Sequence, residues 1–234
     1  MRIDILTIFP KMFAPVLNES IIKRAQAKAK VNIFIHNLRD FSNDKHRKVD
    51  DRPFGGGPGM VMRPEPIFGA VEHILGRRVL CRTRRKAKII LLSPQGKKLG
   101  QKIAKGLAKS SHLILICGHY EGVDERIRRF LVDQEISIGD YVLTGGELPA
   151  MVVIDCVIRM IPGVLGERKS LHFETFEGNL LEYPQYTRPA KYKRMGVPAV
   201  LLSGDHRKIE QWRQRQALKT TKQRRPDLLK QVER

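Results

Sequence analysis

Residues 136–151, ISIGDYVLTGGELPAM, constrain the fold more than any other stretch. An apolar, strand-like run breaks into glycines and then enters an apolar helix, so the chain must turn sharply where a sheet would end. Gly139, Gly145 and Gly146 lack a Cβ, and are expected to take positive φ and to let the backbone approach a ligand. Tyr141 and Leu143 offer flat apolar cover. Parallel α/β sheets bind ligands at such strand ends, although one segment of this kind describes a plain tight turn equally well. Two more follow the same plan. Residues 91–96, LLSPQG, come after the apolar run 87–92 and before a helical pattern over 97–109. Residues 117–122, CGHYEG, come after the run 113–117 and before residues 123–131, where Val123, Ile127, Phe130 and Leu131 recur at helical spacing.

The remainder of the first two thirds alternates in the same way. Residues 2–9 read as a strand, 17–30 as a basic amphipathic helix, 31–35 as a β-branched strand, and Pro64 and Pro66 open a helix that reaches residue 75. Alternation through residue 160 implies an α/β fold, a largely parallel sheet with helices on both faces. The helix over 147–160 is apolar almost all round, Asp155 and Arg159 being the exceptions, four residues apart as a local ion pair requires. Such a helix is expected to be buried on every side, by a second subunit or by a large monomeric core. In FGGGPGM, Gly55, Gly56, Gly57 and Gly59 suit a phosphate cradle. No Gly-Lys-Ser/Thr follows and no strand directly precedes, which excludes a nucleotide-triphosphate loop and leaves a mobile loop near the site.

The partner is indicated by charge. Lys and Arg number 44 against 24 Asp and Glu, a formal +20, and an excess of that size favours a polyanion bound through release of condensed counterions. Basic residues crowd residues 76–88, among them Arg77, Arg78, Arg82, Arg84 and Arg85. They return beyond residue 180, where Tyr183, Tyr186 and Tyr192 lie among Arg188, Lys191, Lys193 and Arg194, the interleaving of rings and cations that RNA surfaces use. Asp205 suits the cap of a helix over 206–218, with Ile209 and Trp212 inward and Arg207, Lys208, Arg213 and Arg215 outward. Cys81, Cys117 and Cys156 are odd in number and widely spaced, which points to neither a disulfide framework nor a metal site. With no apolar run long enough to span a bilayer and no signal-like start, a cytoplasmic protein with no membrane partner is expected.

These turns, together with MRIDILTIFP at 1–10, VDDRPFGGGPGM at 49–60, IPGVLGE at 161–167, YPQYTRP at 183–189, VPAVLLSGDH at 197–206 and RRPDLL at 224–229, resemble the bacterial tRNA (guanine-N1)-methyltransferases of the SPOUT class, which act at position 37. The resemblance runs along nearly the whole chain. It implies methyl transfer from S-adenosyl-L-methionine to N1 of guanine 37 of tRNA, on a guanine preceded by another guanine, by a homodimer with composite sites. It also implies a deep trefoil knot over residues 91–148, which the rarity of knots would not otherwise invite. The architecture implied is a methyltransferase domain over 1–165, a flexible linker over 166–178 and a small, mainly helical tRNA-binding domain over 179–234.

Cofactor positions carried over from the family are Leu92, Ser93, Pro94, Gly118, Tyr120, Glu121, Gly122, Ile138, Gly139, Tyr141, Leu143, Gly145 and Gly146; the sequence itself carries no recognisable metal cluster. Glu121 reads either as a carboxylate for cofactor hydroxyl or amino groups or as a helix N-terminal acid. By resemblance Arg159 reaches the target base, where it would stabilise charge developing on O6. Aligning GVLG and YTRP without gaps puts Glu174 in the place of the family's catalytic aspartate, with His172 as the competing base or both as solvated linker residues. His119 stands where relatives carry arginine, and Phe54 where they carry tyrosine. A non-catalytic basic RNA-binding or ribosome assembly protein satisfies the charge equally, but has no use for three ligand-type turns.

Overall fold

A computed structural model describes residues 1–76, 86–165, 175–176 and 179–230. Within it the chain divides into two units, Met1–Leu165 and Gly166–Arg234.

The first unit is built on five strands, β1 (Arg2–Thr7), β2 (Asn32–Asn37), β5 (Ala87–Lys98), β6 (His112–Cys117) and β7 (Gln134–Ser137), in the order β2-β1-β6-β5-β7 with every pairing parallel. Their apolar runs are nearly continuous because both faces are covered. On one face Ile3, Ile5, Ile90, Leu92, Leu113 and Leu115 meet α1 (Ala14–Leu17), α2 (Ser20–Ala27), α4 (Gln101–Leu107) and α6 (Glu147–Arg159). On the other, Leu6, Ile89, Leu91, Ile114 and Ile116 meet α3 (Pro64–Leu75) and α5 (Glu125–Phe130). The alternating α/β order read from the sequence is thus a mostly parallel five-stranded sheet between helices.

One polar cluster interrupts that core. Asp4, fully buried on β1, accepts from Arg2 Nε and Nη2 at 2.7 and 2.9 Å, and lies 2.7 Å from both His36 Nε2 and His112 Nε2. Burial pushes its carboxyl up, but the hydrogen bonds from His112, His36 and Arg2 outweigh it and hold the group well below the usual carboxylate range.

Several elements differ from the sequence reading. The basic helix expected over 17–30 is shorter, α2 alone, because Ser20, with a φ of 49°, separates it from α1 and the helix is capped at Lys28. The helix expected from residue 97 begins only at Gln101, since Lys97 and Lys98 pair with Ile136 and Ser137 of β7. Phe130 is 56% exposed rather than inward, because α5 starts at Glu125 and is only six residues long. A short strand does precede the glycine-rich loop: β3 (Asp50–Asp51) pairs antiparallel with β4 (Val61–Met62), so residues 52–60 are a hairpin loop with Phe54 fully exposed. Finally, α6 is not buried all round, for Leu148 and Val152, 50% and 40% exposed, form an apolar stripe on its outer side.

The second unit holds a hairpin of β8 (Lys191–Tyr192) and β9 (Met195–Gly196), then α7 (Ala199–Leu202), α8 (His206–Arg224) and α9 (Asp227–Lys230). Asp205 caps α8, accepting from Lys208 N at 3.1 Å, and the helix runs past the expected residue 218. Arg207, Lys208 and Arg215 point outward as read. Arg213 does not: its guanidinium lies 4.9 Å above the Tyr183 ring. Among the described residues no helix is long and apolar enough to cross a membrane.

Candidate functional site

A cavity of about 210 Å³ opens at the carboxyl ends of β6, β5 and β7, three neighbouring strands. Each contributes the turn that follows it. After Leu92, Ser93 is buried and accepts from Gln95 N at 3.2 Å, which folds residues 93–96 outward before the chain returns to β7. Ile136 consequently pairs with β5 twice, at Leu92 and at Lys97. Gly96 is required there by close approach, since a Cβ would lie 2.5 Å from the backbone of Glu135 and Ile136.

The turn after β6 is held by a left-handed Tyr120 (φ 58°) and by Gly122 (φ 130°), a conformation open to glycine and costly for other residues. It is tied to the hairpin loop, because Glu121 N donates to Met60 O (3.1 Å) and Met62 N to Gly122 O (2.9 Å). The Glu121 side chain lies against Gly59 and is exposed. It is not a helix N-terminal acid: α5 starts later, and Asp124 is its cap, accepting from Arg126 N at 2.9 Å. Burial, and then the Asp50 charge, push the Tyr120 phenol above its ordinary value.

The third turn closes the cavity. Ser137 Oγ donates to Gly139 O at 2.8 Å, and Gly146 N donates to Gly118 O at 2.8 Å, which clamps residues 145–146 onto the turn after β6. Gly139, Gly145 and Gly146 do not have the positive φ expected of them. Crowding demands glycine instead. A Cβ on Gly146 would lie 2.7 Å from Cys117 Cα and 2.8 Å from Gly118 N, and one on Gly145 would meet the Glu147 carboxylate and, at 2.6 Å, His119 Cδ2. One on Gly139 would meet the Tyr141 ring.

Leu92, Ser93, Pro94, Gly118, Tyr120, Glu121, Gly122, Ile138, Gly139, Tyr141, Leu143, Gly145 and Gly146, the positions singled out in the sequence, all line this one cavity. Gln95, Arg128, Ser137 and Pro149 line it too and were not foreseen. Arg128 Nη1 donates to Gln95 Oε1 (2.9 Å) and to Glu135 Oε2 (2.8 Å), so one side chain of α5 ties the turn after β5 to strand β7. Beneath the site lies a buried carboxylate that sequence reasoning passed over, Glu147, whose Oε1 accepts from the buried Thr7 Oγ1 at 2.7 Å. Burial, helped by that charge, pushes the Cys117 thiol well up, which makes it an inert core group. His119 packs edge-on against Phe9 and Tyr120, and its buried Nδ1 has no partner. No cluster of His, Cys, Asp or Glu suited to a metal occurs among the described residues.

The model of the family described as tRNA (Guanine-1)-methyltransferase TrmD matches residues 1–231. The chain belongs to this family. Among its relatives, the tRNA (guanine-N(1)-)-methyltransferase of Anoxybacillus flavithermus is 57% identical over 100% of this chain and 93% of its own length. Those of Geobacillus kaustophilus and Moorella thermoacetica are each 57% identical, over 98% and 99% of this chain and 91% of their own. In this family member Arg159 is half-buried in the last turn of α6, about 18 Å along the helix axis from Glu147. It does not line the cavity of its own chain. Glu174 and His172 lie outside the described residues, as do Cys81, the five arginines over 77–85 and most of the linker.

Proposed function

We propose that this chain transfers a methyl group from S-adenosyl-L-methionine to N1 of guanine 37 of tRNA, beside the anticodon, as a cytoplasmic enzyme. The observation that carries the reading is the convergence of three strand-end turns on one cavity, in a chain matched along its length by methyltransferases of that name. The lining of the cavity suits the methyl donor. Leu92, Ile138, Leu143 and Pro149 supply apolar walls, the glycines let backbone groups come close, and a purine edge needs only a few fixed donors and acceptors inside such a slot. Glu121 stands at its rim for a hydroxyl or amino group.

The bound donor presents a sulfonium methyl that is already a good electrophile, so the protein's chemical task is on the base. Guanine N1 carries a weakly acidic proton. Glu174 would accept it as the N1 electron pair takes the methyl carbon, the S–CH3 bond breaks with its pair left on sulfur and the neutral thioether S-adenosylhomocysteine departs, and Arg159 would balance the negative charge that develops on O6. Because Arg159 lies a helix length from its own cavity, a second copy must supply it. The exposed Leu148 and Val152 on the same helix give that copy an apolar stripe to cover. The trefoil knot over 91–148 belongs to this reading, and the return of residues 97–98 to β7, with Gly96 against its backbone, supports it. Residues 1–165 are then the methyltransferase domain, 166–178 a linker and 179–234 the tRNA-binding domain.

Methyl transfer to total tRNA, with the modified base mapped, tests the whole reading. Modification at N1 of guanine 37 is expected, and its absence or a different product would refute it. Glu174→Gln should slow single-turnover chemistry by about a hundredfold or more, with donor and tRNA affinity intact, while Glu174→Asp stays active. Loss confined to His172→Ala would transfer the role. Mixing Arg159→Ala with Gly145→Val, each inactive alone, should restore activity if the sites are composite.

A further inference from the structure

We infer that a second cavity, in the Gly166–Arg234 unit, holds one unstacked nucleotide of an RNA strand, its base against aromatic rings and its phosphate against arginine. The inference rests on tRNA being the substrate, and adds a base-binding site to a unit otherwise expected to grip by charge. The cavity measures about 390 Å³, within the range of small-molecule sites, and lies between the segment 183–188, α7 and α8. Tyr186 is half exposed, and its ring stands 6.4 Å from that of Trp212 at 55°, tilted apart rather than stacked. Leu202, 62% exposed, forms an apolar wall.

The polar side of the cavity is unfinished. Arg213 rests on the Tyr183 ring, its Nε is buried without a hydrogen-bond partner, and its Nη1 reaches Glu210 only at 4.0 Å. A buried N–H lacking an acceptor is costly, and a phosphate or base oxygen would relieve it. Arg188 lines the same cavity. Cations alone would suit an acidic peptide. Rings and cations around a slot of this size suit a nucleotide, because every base has a face that stacks. A duplex keeps those faces covered.

The protein has a single tryptophan, Trp212, so its own emission reports on this cavity and not on the methyl-donor site. The full chain is titrated with a single-stranded hexaribonucleotide, with an RNA duplex of equal length and with polyglutamate. Saturable quenching by the single strand alone is expected. Tyr186→Leu, which keeps apolar bulk, should weaken that binding about tenfold, Tyr186→Phe should preserve it, and Arg213→Gln should weaken it. Unliganded emission matching the wild type verifies that the pocket has kept its shape; if Tyr186→Leu alters it, Arg213→Gln decides. Equal quenching by duplex or polyglutamate, or unchanged affinity in these variants, overturns the nucleotide site and leaves methyl transfer standing. Absence of methyl transfer, conversely, would leave this quench in place.

Discussion

The two cavities are made from different materials. The one at the sheet edge is shaped by backbone: glycines at van der Waals limits, carbonyls and amides clamped to each other, and side chains that mostly serve as walls. The one beside α8 is shaped by side chains, rings and guanidinium groups projecting from a short segment and one long helix. Backbone shape has no intermediate settings, because an added methyl either fits or displaces a turn. Side-chain surfaces lose function in increments. Substitution should therefore act as a switch in the first unit and as a dial in the second.

Gly146→Ala is the sharpest test. Its Cβ would press on the backbone of Cys117 and Gly118, which cannot rotate away, so saturable binding of S-adenosyl-L-methionine should vanish in calorimetry. Gly145→Ala presses mainly on side-chain ends, Glu147 and His119, and should retain weakened binding. If both variants bind normally, the backbone account of this cavity fails. Next in size is Asp4→Asn, which leaves two histidines and an arginine without their carboxylate and should cost about 3 kcal/mol in denaturant unfolding.

Asp4 also sets a pH signature for the first unit. Its folded pKa lies below the unfolded value of about 3.9, so its stabilisation is fully present above that pH and is lost as pH falls toward the folded pKa. Acid unfolding of Asp4→Asn should accordingly be shallower below about pH 4, and an identical acid limb would remove Asp4 from the account.

The second unit is expected to respond by degrees. Arg207→Gln with Arg215→Gln should reduce the slope of log K for tRNA against log salt by about two, a release of about one counterion per lost contact. Arg213 is left out because it stacks on Tyr183 rather than facing solvent. An unchanged slope would take this face of α8 off the RNA. The smallest effect is at Asp205→Ala, which removes the cap bond to Lys208 N and should lower the midpoint of denaturant unfolding only slightly. A large fall there would mean that the second unit also fails all at once.

How far the sequence disclosed this arrangement follows the same division. Signals carried by one residue type at one position were legible: Pro64 opening α3, Asp205 capping α8, the apolar runs of β1, β5 and β6. Backbone contacts between distant segments were not. Nothing about Lys97 and Lys98 says they join β7, because that pairing uses only their peptide groups. The glycines of the last turn were legible as glycines but not in their reason, since sequence does not separate a need for positive φ from a need for room. The Thr7–Glu147 bond, 140 residues apart in the chain, has no local signature at all. Arg213 escaped for a related reason: helical spacing gives an angle around α8, whereas the ring that bends this side chain back lies outside the helix.

The strand order has a consequence for the newborn chain. β1 finds β2 soon after both leave the ribosome, but its other neighbour, β6, emerges only after β3, β4, α3, β5 and α4 have been made. At cellular rates of synthesis that delay is on the order of ten seconds. For that time the free edge of β1 exposes unpaired peptide groups beside Ile3 and Ile5, which is an invitation to association with other chains. A permuted gene that placed β1 and β6 close together in the chain would shorten that interval without changing the sheet.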